Sequence, residues 1–181
     1  MTVVIDGTTG IDTVQDGAIV AADIAAGAVT QTKLASGVAG NGPAFGVYRS
    51  TNQSIAATTY TKIQFDTEEY DTANCFDNTT NYRFTPNVAG YYQINAAWQA
   101  ASAIGAAGQT AIIIYKNGSA FKWGMYAGLS SAENYSAVAS SLIYCNGTTD
   151  YIEIYAYIGN ANTIAGNQAY TYVNGFLARA A

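Results

Sequence analysis

Alternation with a period of two dominates the second half of the chain. In Tyr151–Ile158, Ile152, Ile154, Ala156 and Ile158 fall on one side, and Tyr151, Glu153, Tyr155 and Tyr157 on the other. That pattern predicts a strand with one face in a core. Residues 170–177 behave alike, placing Tyr170, Tyr172, Asn174 and Phe176 together. The most apolar run, Ala111-Ile112-Ile113-Ile114-Tyr115, passes through Lys116 into Asn117-Gly118 and then Ser119–Trp123. Asn-Gly between two β-type runs predicts a hairpin, because both positions of the favoured tight turn need positive φ. A second Asn-Gly, at 146–147, separates the run 141–145 from the strand that starts at Tyr151. Several short strands divided by turn signals predict an all-β sandwich or barrel.

Residues 1–42 follow another rule. Gly17-Ala18-Ile19 with Ile24-Ala25 recurs ten residues later as Gly27-Ala28-Val29 with Leu34-Ala35, and Gly37-Val38-Ala39 begins a third copy. The apolar anchors Ile11, Val14, Ile19, Ile24, Val29 and Leu34 are too sparse to close a core within one chain. The segment also lacks any aromatic residue. Such repeats bury their apolar side by stacking or by pairing between chains. Each unit fits either one helical turn or extended chain. The change of pattern at Asn41-Gly42-Pro43 divides the sequence into an attachment segment, 1–42, and a β domain, 43–181.

Composition narrows the function. Half the residues are apolar and 10% are charged, which excludes a disordered chain. The apolar runs fall short of the ~20 residues that cross a bilayer, and no basic-then-apolar leader opens the chain. The expectation is a soluble protein without membrane insertion. A net charge of −5 makes nucleic acid a poor partner. The absence of histidine rules out a His-dependent triad or a His-ligated metal. Tyrosine is abundant at 15, against 6 Phe and 2 Trp, and it crowds the predicted outer faces. Aromatic outer faces on a soluble protein imply cover, most simply by copies of the same chain. Cys75 and Cys145 read as reduced, buried thiols, which would pair only with Cα atoms within ~7 Å.

Two groups of residues are candidates for chemistry or recognition. Asp66, Glu68, Glu69 and Asp71, with Asp77 beyond them, are dense enough to suggest Ca²⁺, although they match no defined calcium loop. The plain alternative is a solvated acidic loop. Glycoside hydrolysis would need two such carboxylates facing each other. Asn52, Asn160, Asn162 and Asn167 lie in predicted loops, as do Asn74, Asn78 and Asn81. They are candidates either for receptor contact or for ordinary turn chemistry.

Four stretches carry a family resemblance. Pro43-Ala44-Phe45-Gly46-Val47-Tyr48-Arg49, Tyr82-Arg83-Phe84-Thr85-Pro86 through Gly90-Tyr91-Tyr92-Gln93-Ile94, Lys116-Asn117-Gly118 and Tyr172-Val173-Asn174-Gly175-Phe176-Leu177 occur in that order. They resemble the opening strand, central signature, mid-domain hairpin and final strand of the C1q-like globular domain. The resemblance implies a ten-stranded jelly-roll sandwich that trimerises as tumour necrosis factor does. Together with the tyrosine-rich faces, it puts Tyr92, Tyr155, Tyr157, Tyr172 and Phe176 at a threefold interface. It also keeps calcium open, since some such trimers hold the ion near their axis. Gly7-Thr8-Thr9-Gly10-Ile11 and the repeats after it resemble the amino-terminal parts of phage tail-fibre proteins. The implied protein is a non-enzymatic, structural virion protein: a homotrimeric tail fibre or appendage. Residues 1–42 would dock on other virion proteins of the tail, baseplate or capsid, and a distal knob would meet a host-surface glycan or protein. The competing readings are a capsid decoration protein, a non-viral C1q-like binding module and a carboxylate hydrolase.

Overall fold

A computed structural model describes residues 42–105, 109–128, 131–132 and 134–181, with Val29 and Lys33 as isolated positions. The chain divides into two compact units, Met1–Leu34 and Ala35–Ala181. The second unit holds every strand of the described residues. Of the repeat anchors, Ile11, Val14, Ile19, Ile24 and Leu34 lie outside the described residues, and Val29 is exposed.

The described residues form two antiparallel sheets and a small ribbon. Sheet I has the order β10 (Ser136–Cys145), β7 (Gly90–Gln99), β13 (Tyr172–Ala180), β1 (Ala44–Tyr48), β4 (Thr67–Asp71). Sheet II runs β5 (Phe76–Asp77), β6 (Arg83–Phe84), β11 (Ile152–Ile158), β8 (Gln109–Lys116), β9 (Ser119–Gly128), with β3 (Thr61–Lys62) also on β11. The ribbon pairs β12 (Asn162–Ile164) with β2 (Gln53–Ile55). The count exceeds ten because β3, β5 and β6 are two-residue pieces where loops touch sheet II.

The core lies between the sheets. Phe45, Val47, Tyr92, Ile94 and Trp98 of sheet I meet Ile112, Ile114, Ile152, Ile154 and Ala156 of sheet II. The parity expected of β11 holds, since its four inward residues are all at most 2% exposed. Each fully buried Ile contributes about 1.5–3 kcal/mol relative to exposure. Phe45 stacks on Phe84 with centroids 4.3 Å apart. The Trp98 indole N–H donates to the Ala111 carbonyl at 3.3 Å, and the Tyr92 hydroxyl donates to the Val88 carbonyl at 2.7 Å. Both large rings therefore enter the core with their polar atoms satisfied.

The two Asn-Gly pairs do different jobs. Asn117 (φ 54°) and Gly118 (φ 76°) close the predicted β8–β9 hairpin, with Lys116 opposite Ser119. Asn146-Gly147 instead crosses from sheet I to sheet II, because β10 pairs with β7 while β11 pairs with β8. There the Asn146 Oδ1 accepts the backbone N–H groups of Thr148, Thr149 and Asp150 at 2.9–3.0 Å. Gly147 (φ 73°) lies against Ala89, where a Cβ would sit 2.3 Å from the backbone nitrogen. The final strand starts at Tyr172 and not at Tyr170, since Tyr170 and Thr171 donate their N–H groups to the Asn167 carbonyl in a turn. Tyr172, Asn174 and Phe176 share the outer face as expected.

Candidate functional site

The outer face of sheet I is a broad, partly apolar surface. Register places Leu142, Gln93 and Phe176 in one row, Ser140, Asn95 and Asn174 in the next, and Val138, Ala97 and Tyr172 in a third. Leu142 is 54% exposed, Val138 52% and Phe176 49%, with Tyr91 and Tyr144 exposed beyond them. Between the apolar rows runs a polar ladder across three strands. The Gln93 Nε2 donates to Ser140 Oγ at 2.9 Å and to Asn95 Oδ1 at 3.1 Å. Ser140 Oγ donates to Asn95 Oδ1 at 2.8 Å, and Asn95 Nδ2 donates to Asn174 Oδ1 at 3.1 Å. Polar groups that satisfy one another can lose water at far lower cost than unpaired ones.

The expected interface residues separate three ways. Tyr172 and Phe176 are on this face. Tyr155 and Tyr157 are half-buried on the outer face of sheet II. Tyr92 has no surface to offer: its ring is fully buried in the core, and its neighbour Tyr91 is the exposed one. A period of two makes adjacent residues face opposite ways, so this correction is one of parity. Val138, Leu142 and Tyr144 were missed from the pattern. Their signal is legible in the alternation of β10, where Ala137, Ala139, Ile143 and Cys145 face the core and Val138, Leu142 and Tyr144 face outward.

Aromatic rings cover the outer face of sheet II. Tyr115 stacks on Tyr155 with centroids 3.9 Å apart, and Tyr60 touches Tyr157 at 5.0 Å and Trp123 at 6.0 Å. Trp123 continues to Tyr126 at 6.0 Å. Burial, reinforced by the Glu153 carboxylate, pushes the Tyr155 hydroxyl up to about 12. Glu153 is 5% exposed and is neutralised by Lys62 at 2.6 Å.

The acidic cluster does not converge. Among the described residues no three His, Cys, Asp or Glu side chains come together as a metal would need. Asp66 and Asp71 are separated by the extended β4, a span of about 16 Å, and Glu68 and Glu69 are exposed. Asp66 pairs with Arg49 at 2.6 Å and accepts the Ser50 N–H at 2.8 Å. Asp71 accepts the N–H groups of Ala73 and Phe76. Asp77 accepts N–H groups from Thr79, Thr80 and Asn81, which hold it far below the usual carboxylate range. Asp71 and Asp77 build local turns and Asp66 ties down Arg49 and Ser50, so the calcium candidate loses its geometric basis.

The loop asparagines do similar work. Asn52 accepts the Gly166 N–H, Asn167 accepts that of Ala169, Asn160 donates to the Gly105 carbonyl, and Asn162 donates to that of Ala103. Cys75 and Cys145 are buried and unbridged, and burial pushes Cys145 up to about 11. No helix among the described residues is long and apolar enough to cross a membrane.

Comparison with solved structures places this architecture. The globular domain of zebrafish complement 1qA superposes with a TM-score of 0.57 at 19% identity, covering 77% of this chain and 99% of its own. The fold is a C1q/TNF-like jelly roll. Murine APRIL superposes at 0.56 with 9% identity over 75% of this chain and 98% of its own. PRD1 vertex protein P5 reaches 0.53 at 18% identity, over 75% and 96% respectively. No protein-family model and no curated protein matches the sequence.

Proposed function

We propose that this jelly roll is the knob of a homotrimeric structural appendage of a virus particle. Residues 1–42 hold it to other virion proteins of the tail, baseplate or capsid, and the knob meets a host-surface receptor. The observation that carries the reading is the outer face of sheet I. It exposes Leu142, Val138 and Phe176 beside a polar ladder that is already satisfied within the chain. Such a face is built to be covered, and the resemblance to the C1q-like domain supplies the count of three. Covering the exposed half of Phe176, about 100 Å², contributes roughly 2.5 kcal/mol per copy. No step of catalysis is assigned, since the chain has no histidine and the clustered carboxylates do not converge among the described residues.

Sedimentation equilibrium tests the assembly. The expected mass is three times the 18.9 kDa of one chain. Leu142→Glu with Phe176→Glu should give single chains with unchanged far-ultraviolet dichroism, because both side chains point away from the core. A wild-type monomer, or a double variant of unchanged mass, overturns the reading. Placement on the particle is tested by deleting residues 1–42, which should leave a folded trimer that is not incorporated. A truncated protein that still joins particles refutes the attachment role. Placement on the capsid and not the tail has the likeness to the PRD1 vertex protein in its favour.

A further inference from the structure

Sheet II carries a second exposed patch of different chemistry. We propose that the strip Tyr126–Trp123–Tyr60–Tyr157 is a binding platform for neutral carbohydrate. The proposal deepens the reading of the knob as a receptor-binding module and rests on it. The four rings touch in sequence, with centroids 6.0, 6.0 and 5.0 Å apart. They come from β9, from the loop before β3, and from β11, so they cross the sheet. Tyr126 is 54% exposed, Trp123 52% and Tyr60 47%. Ala111 and Ile113 of β8, the register partners of Tyr126 and Trp123, are fully buried, so the two β9 rings stand beside a buried central strand.

The polar tips separate this strip from a core-like contact. The Trp123 indole N–H and the hydroxyls of Tyr60, Tyr126 and Tyr157 meet no hydrogen-bond partner among the described residues. Trp98 and Tyr92, in the core, commit theirs to carbonyls. A pyranose offers an apolar C–H face ringed by hydroxyls. Exposed aromatic faces take the first and uncommitted donors take the second. Charge selects a neutral ligand. The ion pair beside the strip, Lys62–Glu153, is closed at 2.6 Å, and Lys62 is further held by the Asn81 carbonyl. The chain carries a net −5, which opposes nucleic acid, anionic glycans and anionic lipid. The apolar surface suited to a second copy is the Leu142–Phe176 face of the other sheet.

Trp98 is buried and Trp123 exposed, so a ligand-dependent change in tryptophan emission reports Trp123. The full chain is titrated with hexaoses of β-1,4-glucose, α-1,4-glucose and β-1,4-N-acetylglucosamine up to about 10 mM, the range for weak surface stacking. At least one should give a saturable blue shift. By saturation-transfer NMR, Tyr60→Ala should weaken that ligand at least about fivefold, roughly one lost ring contact, and Tyr60→Phe should weaken it less. Sedimentation of Tyr60→Ala should match wild type. No saturable shift with any of the three, or a Tyr60→Ala variant that binds like wild type, overturns the proposal. So does a Tyr60→Ala variant of lower assembly mass, which makes the strip part of the subunit interface. A protein that is monomeric yet binds a hexaose refutes self-association and leaves this site standing.

Discussion

Replacing Asp150 removes the carboxylate that joins two corners of the sandwich. Its Oδ1 accepts the Asn117 Nδ2–H at 2.7 Å, and its Oδ2 accepts the Asn146 N–H at 3.0 Å and pairs with Lys116 at 2.9 Å. Asn117 in turn accepts the Tyr151 N–H at 3.0 Å, and Lys116 donates to the Tyr144 carbonyl at 2.8 Å. One side chain, 12% exposed, thus ties the β8–β9 hairpin to the β10–β11 crossover. Asp150→Ala leaves three donors without this acceptor, one of them charged. Breaking a buried pair from one side costs about 3–5 kcal/mol, and side-chain exposures of 18% for Lys116 and 12% for Asp150 argue for the lower end. Asp150→Asn keeps one acceptor oxygen and should cost about 1.5–2 kcal/mol, the scale of a hydrogen bond to a charged group. Urea unfolding at pH 7 should show a lower midpoint with an unchanged slope.

The pH dependence gives the same prediction a second handle. The Asn117 hydrogen bond, then those from Lys116 and Asn146, hold the Asp150 carboxyl below its ordinary value. A depressed folded pKa gives stability that is present above the unfolded value near ~3.9. That stability is lost as the pH falls through the folded value. The gap between wild type and Asp150→Asn should therefore narrow below about pH 4, whereas the other depressed carboxylates, Asp66 and Asp77, act equally in both proteins. A gap that persists undiminished at about pH 2.5, or an Asp150→Ala cost under about 1 kcal/mol, would refute this role for Asp150.

Tyr92→Phe removes the hydroxyl that donates to Val88 and should cost about 1–2 kcal/mol in thermal or urea unfolding. It should leave the sedimenting mass unchanged; a lower mass would restore Tyr92 to the interface. Gly147→Ala places a Cβ against the Ala89 backbone at positive φ and should cost more than about 1 kcal/mol; a neutral result would mean the crossover relaxes freely. Cys145, buried and pushed up to about 11, should react with a disulfide reagent at pH 8 far more slowly in the folded protein than in urea. Equal rates would mean the core opens on the labelling timescale.

Local pattern predicted a good part of this molecule. Alternation in residues 151–158 assigned the inward isoleucines, and the Asn117-Gly118 hairpin formed where turn chemistry required it. The same dipeptide at 146–147 became a crossover, because its flanking strands found better partners elsewhere. Side chains of Asp66, Asp71, Asp77 and the loop asparagines looked available for ligands in the sequence. Folding turned them onto nearby backbone N–H groups, which a linear reading cannot distinguish from open coordination.

The sequence by itself determined the β class, the alternation of residues 151–158 and 172–177 and the exclusion of histidine chemistry, because all three depend on residue type and short spacing. Only the tertiary structure decided which faces stay exposed. Leu142, Gln93 and Phe176 become neighbours because β13 inserts beside β7, and Tyr60 reaches Trp123 across sheet II. Those are pairings between distant segments, chosen by how the whole core closes and not by any run of residues within it.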